Sequence, residues 1–347
     1  MDIQEKKKQA AVLAPALRML CDKDGMAKVE FTPDGNAGLH ATVETALSVY
    51  NKQQPQSICV EGLGTFKISK VSKEKPFSGK IAIVTGGAQG FGAGISESLA
   101  DLGATVVIAD MNGDGAQAEA EKIQSEYGVD SAAVTVNVTD EDSVANMICE
   151  VVCLFGGLDI FVNNAGVVRA GTLEEMTKKN FEFVTSVDYT AFFVCTKYAI
   201  APMKIQREVN PDYMADIICI NSKSGLEGSN KNFAYAGAKF GGIGLTQSFA
   251  LELAPFGIKV NSVCPGNFLD GPLWSDPEKG LFVQYLNAGK VPGAKTVADV
   301  RKFYESKVPL GRGCTAPDVA RAIQYIVEQK YETGQAVPVT GGQVMLN

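Results

Sequence analysis

Short apolar segments alternate with longer amphipathic segments along the chain after residue 80. Seven runs rich in β-branched residues predict strands at 81–85, 104–110, 132–137, 158–162, 217–221, 258–263 and 336–340. Helical spacing of apolar positions predicts helices that include 92–102, 143–154, 181–203, 233–253 and 317–328. Strands that are apolar on both faces and separated by helices form parallel sheets covered on both sides. We therefore predict an α/β fold, a doubly wound parallel sheet of about seven strands, with its ligand at the carboxyl ends of the strands.

The first 75 residues have a different pattern, which predicts a small α+β appendage. Segments 3–21 and 39–51 have helical spacing, whereas 57–69 has short apolar runs and glycines that indicate strand and turn. A polar segment over 67–80, rich in Lys and Ser, separates the two patterns. We predict an α+β unit of unknown role over residues 1–75, which packs on the main domain or mediates assembly, and a main domain over residues 76–347.

The composition limits the classes of partner. The formal net charge is −7, which argues against a nucleic-acid-binding surface and against attraction to anionic membranes. No apolar run reaches the roughly 18 residues of a membrane span, and Pro15 and Arg18 disrupt the N-terminal run that resembles a signal peptide. The eight cysteines are scattered, and one histidine, His40, cannot build a zinc site alone. We predict a cytoplasmic protein with reduced thiols, a small-molecule partner and no metal.

A glycine-rich turn directly follows the first strand of the predicted sheet. Residues 86–92 read GGAQGFG and open the next helix. Glycines there let backbone N–H groups approach a pyrophosphate, and the helix presents its positive end to it. The candidate cofactor contacts in this turn are Gly86, Gln89, Gly90, Phe91 and Gly92.

The second strand ends at Asp110, which lies 24 residues after Gly86. This offset is close to the distance of about 20 residues at which dinucleotide-binding proteins place the acid that binds the adenosine ribose. The carboxylate accepts hydrogen bonds from ribose hydroxyls and repels a 2′-phosphate. We therefore predict NAD, and not NADP, as the cofactor.

The order of several motifs resembles the short-chain dehydrogenase/reductase family. Thr85-Gly86-x-x-x-Gly90-x-Gly92 is followed by Asn163-Asn164-Ala165-Gly166 and later by Pro265-Gly266. The resemblance covers about residues 80–347 and implies an NAD-dependent oxidoreductase that forms a homodimer or homotetramer. It also implies further cofactor contacts at Asn137, Val138, Asn164, Ala165, Gly166, Pro265 and Gly266.

A tyrosine, a lysine and a serine form the candidate catalytic group. Tyr235 and Lys239 are four residues apart in a predicted helix, so both side chains project from one face. Ser222 lies 13 residues before Tyr235, at the end of the fifth strand. A phenol with a pKa of about 10 is a poor base at neutral pH, but an adjacent ammonium favours the phenolate. We predict that Tyr235 takes the alcohol proton and that Ser222 holds the substrate oxygen, with Tyr235 and Lys239 also contacting the cofactor.

Two positions depart from the family pattern. The family usually has an asparagine in the proton relay where this chain has Asp188, which we include among the candidate catalytic residues. Asp188 can accept hydrogen bonds from a water or from Lys239, but its charge would offset part of the effect of the lysine on Tyr235. The relay is therefore either supported or impaired by this residue. The third strand ends in Asn137-Val138, where the family usually has an aspartate.

Several segments resemble members of the family that oxidise sugar alcohols and their phosphates. These segments are 220–225, 238–242, 244–248, 266–267, 307–314 and 340–345. The resemblance implies conversion of a polyol, such as sorbitol 6-phosphate, to a ketose. Lys223 either binds the substrate phosphate or is a solvated surface lysine, and Asn267 is the second candidate substrate contact. Residues 268–306 form the predicted substrate lid, whose aromatic and basic residues suit a sugar phosphate.

Two alternatives remain open at this point. The enzyme could act on another secondary alcohol, a hydroxysteroid or an acyl thioester. The chain could also be an NAD-binding sensor or scaffold that keeps the fold and lacks turnover, a reading that rests on Asp188 and on the unusual N-terminal unit.

Overall fold

The computed structural model describes residues 1–287 and 289–345, which contain two sheets. The strands are β1 (Ala27–Pro33), β2 (Leu39–Ala41), β3 (Ser57–Val60), β4 (Gly64–Lys70), β5 (Ile81–Thr85), β6 (Thr105–Asp110), β7 (Ser131–Thr135), β8 (Ile160–Asn163), β9 (Ala215–Ile220), β10 (Ile258–Pro265) and β11 (Ala336–Val339). The α-helices are α1 (Ile3–Cys21), α2 (Ala46–Gln53), α3 (Gly90–Asp101), α4 (Gly113–Tyr127), α5 (Glu141–Phe155), α6 (Lys178–Thr185), α7 (Ala191–Val209), α8 (Phe233–Leu253), α9 (Pro272–Ser275), α10 (Leu281–Asn287), α11 (Val297–Ser306) and α12 (Ala316–Glu328).

The larger sheet has seven parallel strands in the order β11-β10-β9-β8-β5-β6-β7. Successive residues of β5 alternate between the two faces: Ile81 and Ile83 join one apolar core, and Ala82 and Val84 join the other. Helices α5, α7 and α8 contribute to the first core, and α3, α4 and α12 to the second. The predicted doubly wound α/β fold is confirmed.

The strand order reverses between β5 and β8. From β5 the chain proceeds to β6 and β7 on one side, whereas β8 leads to β9, β10 and β11 on the other. The connections after β5 and β8 therefore diverge and leave a crevice at the carboxyl ends of these strands, which is the position at which doubly wound folds bind ligands.

The smaller sheet has the order β1-β4-β3-β2 and belongs to the N-terminal residues. Helix α1 packs against β1 and β4 of this sheet and also against α5 and α7 of the main fold. Leu17 and Phe66 from the N-terminal residues share one apolar core with Val151 and Met203. No helix in the described part of the chain is long and apolar enough to cross a membrane.

Two expectations for individual elements are wrong, and one strand was missed. The helix predicted over 39–51 begins only at Ala46, because residues 39–41 pair with β3 as a parallel edge strand. The helix predicted over 181–203 is two α-helices joined by a π-helical turn, Ser186–Thr190. Strand β1 was also missed, although its residues 27–32 alternate between apolar and polar side chains.

Arg18 of helix α1 connects the N-terminal residues to the main sheet. The guanidinium is fully buried and forms a bidentate salt bridge with the Asp159 carboxylate, with Nη1–Oδ1 and Nη2–Oδ2 distances of 3.0 and 2.7 Å. Its N–H groups also donate to the backbone carbonyls of Gly25, Ala27 and Gly79. The Asp159 Oδ2 atom in turn accepts from the backbone N–H of Ile81, at the start of β5, at 2.7 Å. One buried carboxylate thus joins α1 to the strand that leads to the glycine-rich turn.

Replacing Arg18 by alanine should lower the free energy of unfolding by about 3–5 kcal/mol, because Asp159 would remain buried without its cation. Urea unfolding measures this loss. Arg321→Ala is the matched control, since Arg321 is an exposed arginine on α12, and it should change the free energy by no more than about 0.5 kcal/mol. A loss of less than about 1 kcal/mol in the Arg18 variant would mean that the pair does not hold the two parts together.

Candidate active site

The glycine-rich turn between β5 and α3 has the geometry of an anion cradle. Gly86 and Gly90 have φ values of +64° and +61°, which favour glycine. A Cβ atom on Gly92 would lie 2.0 Å from the Gly86 carbonyl oxygen. Gln89 precedes the first turn of α3 without a side-chain hydrogen bond to it, so no side chain caps this helix end. The residues present therefore fit the pyrophosphate of a dinucleotide.

Asp110 lies beside this turn at the end of β6. Its Oδ2 atom accepts from the backbone N–H of Ala88 at 3.1 Å, and its Oδ1 atom accepts from Asn112 at 2.9 Å. The carboxylate is held in place by both bonds and remains half-buried at the mouth of the turn.

The Asn163–Gly166 segment is hydrogen-bonded to the end of β5. The Asn164 Nδ2 group donates to the carbonyls of Thr85 and Gly86 at 2.9 and 3.1 Å. The Thr85 hydroxyl accepts from the backbone N–H groups of Asn164 and Ala165 at 3.0 and 3.1 Å. Residues 163–166 thus line the crevice beside the glycine-rich turn.

The remaining predicted cofactor positions lie at the same sheet edge. Asn137 follows β7, and its Oδ1 atom accepts hydrogen bonds from the backbone N–H and the hydroxyl of Thr139, so the Asn137 side chain stabilises a local turn. The next residue, Val138, is buried. Pro265 ends β10, and the N–H of Gly266 donates to Val339 of β11 at 2.9 Å.

The three predicted catalytic side chains converge at the carboxyl end of β9. Ser222 follows β9, and its hydroxyl accepts from the N–H of Ser224 at 3.1 Å. Tyr235 and Lys239 lie on α8, with the Lys239 Nζ atom 5.4 Å from the centre of the Tyr235 ring. Lys239 is buried, and Nζ donates to the carbonyl of Ile220 at 3.1 Å. The last residue of β9 therefore orients the ammonium.

Asp188 lies in the π-helical turn and faces this group. Its side chain has no exposed surface; Oδ1 is 3.3 Å from Lys239 Nζ, and Oδ2 accepts from the backbone N–H of Val167 at 3.1 Å. A Cβ atom on Gly166 would lie 2.7 Å from Oδ1, so the absence of a side chain there makes room for the carboxylate. Because π-helical turns are rare and concentrate at functional sites, the turn is consistent with a local requirement to place Asp188.

The charges of these groups influence one another. Burial raises the pKa of the Tyr235 phenol, the Lys239 ammonium lowers it, and the Asp188 carboxylate raises it again. Burial opposes the charged form of Lys239, but Asp188 and Tyr235 outweigh burial and raise the pKa of this ammonium. Burial also raises the pKa of Asp188, against the opposing effects of Lys239 and of the Val167 N–H.

Comparison with known proteins identifies the family. The model of the short chain dehydrogenase family matches residues 80–276. The chain belongs to this family. It is 38% identical over 270 residues to sorbitol-6-phosphate 2-dehydrogenase of Escherichia coli, covering 77% of this chain and 99% of that protein. It is 32% identical over 271 residues to a 3-oxoacyl-[acyl-carrier-protein] reductase of Aquifex aeolicus, covering 78% of this chain and 99% of that protein.

Solved structures support the same assignment. The crystal structure of sorbitol-6-phosphate 2-dehydrogenase from Erwinia amylovora superposes with a TM-score of 0.68 and 38% identity, covering 76% of this chain and 100% of that one. A Pseudomonas aeruginosa complex named RhlG/NADP superposes with a TM-score of 0.65 and 26% identity, covering 77% of this chain and 98% of that one. This short-chain dehydrogenase is therefore an oxidoreductase that uses NAD or NADP and acts on a small molecule.

The predicted substrate contacts occupy different environments. Lys223 is half-buried at the start of the short turn after Ser222, and its Nζ atom lies 3.3 Å from the Glu227 carboxylate. Asn267 follows Gly266, and its carbonyl accepts from the N–H of Cys314 at 2.9 Å. Both residues lie next to members of the site, but Lys223 already has a carboxylate partner.

The aromatic residues of the lid pack mainly against one another. Trp274 contacts Phe282, Tyr285 and Tyr304, at distances of 4.9 to 5.8 Å between ring centres, and is 8% exposed. These rings form a small apolar core of their own, and the expectation that the lid suits a sugar phosphate stays a prediction.

Sequence reasoning missed two contributors to the site. The ring of Phe268 stacks on Phe91 of the glycine-rich turn with 4.4 Å between ring centres, which connects the cofactor turn to the loop after β10. The only sequence signal for Phe268 is an aromatic residue close behind Pro265-Gly266. Val167 acts through its backbone N–H, which no side-chain pattern reveals. Among residues 1–287 and 289–345, no cluster of three or more potential metal-ligating side chains occurs.

Proposed function

We propose that this short-chain dehydrogenase is NAD-dependent and interconverts a polyol, sorbitol 6-phosphate or a related sugar alcohol phosphate, with the corresponding ketose. The observation that carries the proposal is the convergence of Ser222, Tyr235 and Lys239 beside the glycine-rich turn. The substrate class is supported by 38% identity to a sorbitol-6-phosphate 2-dehydrogenase over nearly its whole length.

Each side chain of the site has a separate role in the proposed reaction. NAD, when bound at the glycine-rich turn, would supply the acceptor for the hydride of the carbinol carbon. The Tyr235 phenolate takes the hydroxyl proton of the substrate, and the Ser222 hydroxyl donates a hydrogen bond to the same substrate oxygen. Burial raises the pKa of Tyr235, and the Lys239 ammonium acts against burial by stabilising the phenolate with its charge. In the reductive direction Tyr235 returns the proton to the carbonyl oxygen.

The choice of NAD rests on Asp110. A fixed carboxylate beside the turn suits the two ribose hydroxyls of NAD and repels the 2′-phosphate of NADP. Both oxygens of Asp110 are held by backbone N–H groups, which keeps the charge at this place.

The relatives named as 3-oxoacyl-[acyl-carrier-protein] reductases support a second candidate, reduction of a keto group on an acyl thioester. The proton donor would be the same tyrosine.

We also propose a homodimer or homotetramer in the cytoplasm. Helix α8 exposes Phe240 and Leu251 on its outer side, and added Cβ atoms on Gly237 and Gly244 would meet nothing within 4 Å. Exposed apolar surfaces of this kind mark protein contacts. The division of the chain into a unit over 1–75 and a main domain over 76–347 is likewise a proposal.

Tyr235→Phe should abolish turnover in both directions, by a factor of at least about 10², because the proton donor and acceptor is lost. NAD binding, measured by calorimetry, should remain within about threefold of wild type because a hydroxyl is removed without altering the glycine-rich turn. Tyr331→Phe is the control, since Tyr331 is a fully exposed tyrosine, and should leave the rate unchanged. Unaltered turnover in the Tyr235 variant would exclude this mechanism.

Asp110→Asn should reduce the preference for NAD over NADP by at least about tenfold, because the repulsion of the 2′-phosphate disappears. The ratio of kcat/KM for the two cofactors measures the change. Asp114→Asn removes a charge from the exposed first turn of α4 and should leave the ratio as it is. Equal ratios in wild type and the Asp110 variant would show that this carboxylate does not select the cofactor.

Lys223→Gln should raise KM for sorbitol 6-phosphate by about tenfold and leave KM for sorbitol nearly unchanged, if its ammonium binds the phosphate. Initial rates with both polyols and with a 3-oxoacyl thioester test substrate class and residue together. Lys330→Gln, at an exposed lysine, controls for the loss of one positive charge. An equal effect on both polyols would mean that Lys223 only forms its ion pair with Glu227 and does not bind the phosphate. Activity confined to the thioester would favour reduction of an acyl thioester, the second candidate.

A further inference from the structure

The buried carboxylate of Asp188 has no direct part in the proton transfer proposed above. Its side chain has no exposed surface, and the partner Lys239 is 6% exposed. The Oδ1–Nζ distance is 3.3 Å, and Oδ1 has no hydrogen-bond partner in the described part of the chain. The hydrogen bond that Nζ makes goes instead to the carbonyl of Ile220. The contact between the two residues is therefore mainly one of charge with charge.

The groups that face Asp188 come from three elements. Helix α8 supplies Lys239 and Tyr235, strand β9 supplies Cys219, and the loop after β8 supplies the Val167 N–H. Burial raises the pKa of the Cys219 thiol, with Lys239 opposing it, so this thiol stays neutral and adds no charge. The electrostatic balance of the site is thus set by one ammonium, one carboxylate and one phenol.

The carboxylate counters the effect that Lys239 has on Tyr235. An uncompensated ammonium favours a nearby phenolate, whereas an ammonium that faces a buried carboxylate presents a weaker field to the phenol. Burial raises the pKa of Tyr235, and Asp188 acts in the same direction. An asparagine at position 188 could accept the same Val167 hydrogen bond without the charge.

We propose that Asp188 is a positioning residue that offsets the charge of Lys239 and thereby keeps Tyr235 protonated at neutral pH. The inference rests on the proposed function of Tyr235. The site then favours ketone reduction near neutral pH, in which Tyr235 gives its proton to the carbonyl oxygen and a bound reduced nicotinamide would supply the hydride for the carbonyl carbon. Alcohol oxidation, which requires the phenolate to take the proton back, is confined to alkaline pH.

The direct test follows ionisation of Tyr235 by the ultraviolet absorbance of phenolate. Titrating the full-length chain and subtracting the titration of Tyr235→Phe isolates this one tyrosine. We expect wild type to titrate above the ordinary Tyr value of 10.0 in the absence of cofactor. Asp188→Asn should titrate at lower pH than wild type. Asp140→Asn is the matched control, since Asp140 also accepts a backbone N–H, from Ser143, but lies outside the site.

The kinetic test compares both directions across pH. In Asp188→Asn the rate of alcohol oxidation at pH 7 should rise by about tenfold, a factor that corresponds to one pKa unit, and the acidic limb of its kcat/KM profile should move to lower pH. The rate of ketone reduction should not rise. If the substitution only disturbed packing, both rates would fall and the acidic limb of the kcat/KM profile would stay at the same pH.

Either titration can overturn the proposal. It fails if wild-type Tyr235 titrates below 10.0 without cofactor, or if Asp188→Asn titrates at the same pH as wild type. The wild-type measurement remains decisive even if the Asp188 variant does not fold. Since neither titration needs a substrate, absence of turnover with polyols would count against the proposed function and leave this inference to be judged by itself.

Discussion

The buried ammonium of Lys239 is the group on which the arrangement of the site depends. It contacts the end of strand β9 through the carbonyl of Ile220, the π-helical turn through Asp188, and its own helix neighbour Tyr235. A buried charge requires such partners, because an unpaired ammonium in the protein interior would lose its proton or destabilise the fold. The need to satisfy this one cation therefore explains why a strand, a helix and an irregular turn meet at one point.

The opposite end of the main sheet contains another buried charge pair. Arg18 and Asp159 connect helix α1 to the start of β5, and the carboxylate holds the first backbone N–H of that strand. Strand β5 then leads directly into the glycine-rich turn. The N-terminal residues thus stabilise the amino end of β5, whose carboxyl end leads into the cofactor turn. They do so although they are distant from the reacting groups.

Much of the fold was predictable because its strands are short, apolar and regularly separated by helices. The prediction failed where tertiary contacts outweighed local preference. The segment 39–51 was predicted as one helix, but pairing with β3 makes residues 39–41 a strand. The π-helical turn is invisible in a pattern with a period of 3.6 residues, because it inserts one extra residue without changing the hydrophobic character of the segment.

The sequence by itself determined the family, the doubly wound sheet, the glycine-rich turn and the spacing of Ser222, Tyr235 and Lys239, because each follows from local periodicity or from residues close together in the chain. Only the tertiary structure decided that the lid rings pack on one another and that Asp188 faces Lys239 at 3.3 Å. Those contacts join residues whose distance and burial depend on how separate elements pack. The sequence indicated that Asp188 could offset the charge of Lys239, but the distance and burial that set the charge balance around Tyr235 depend on the fold.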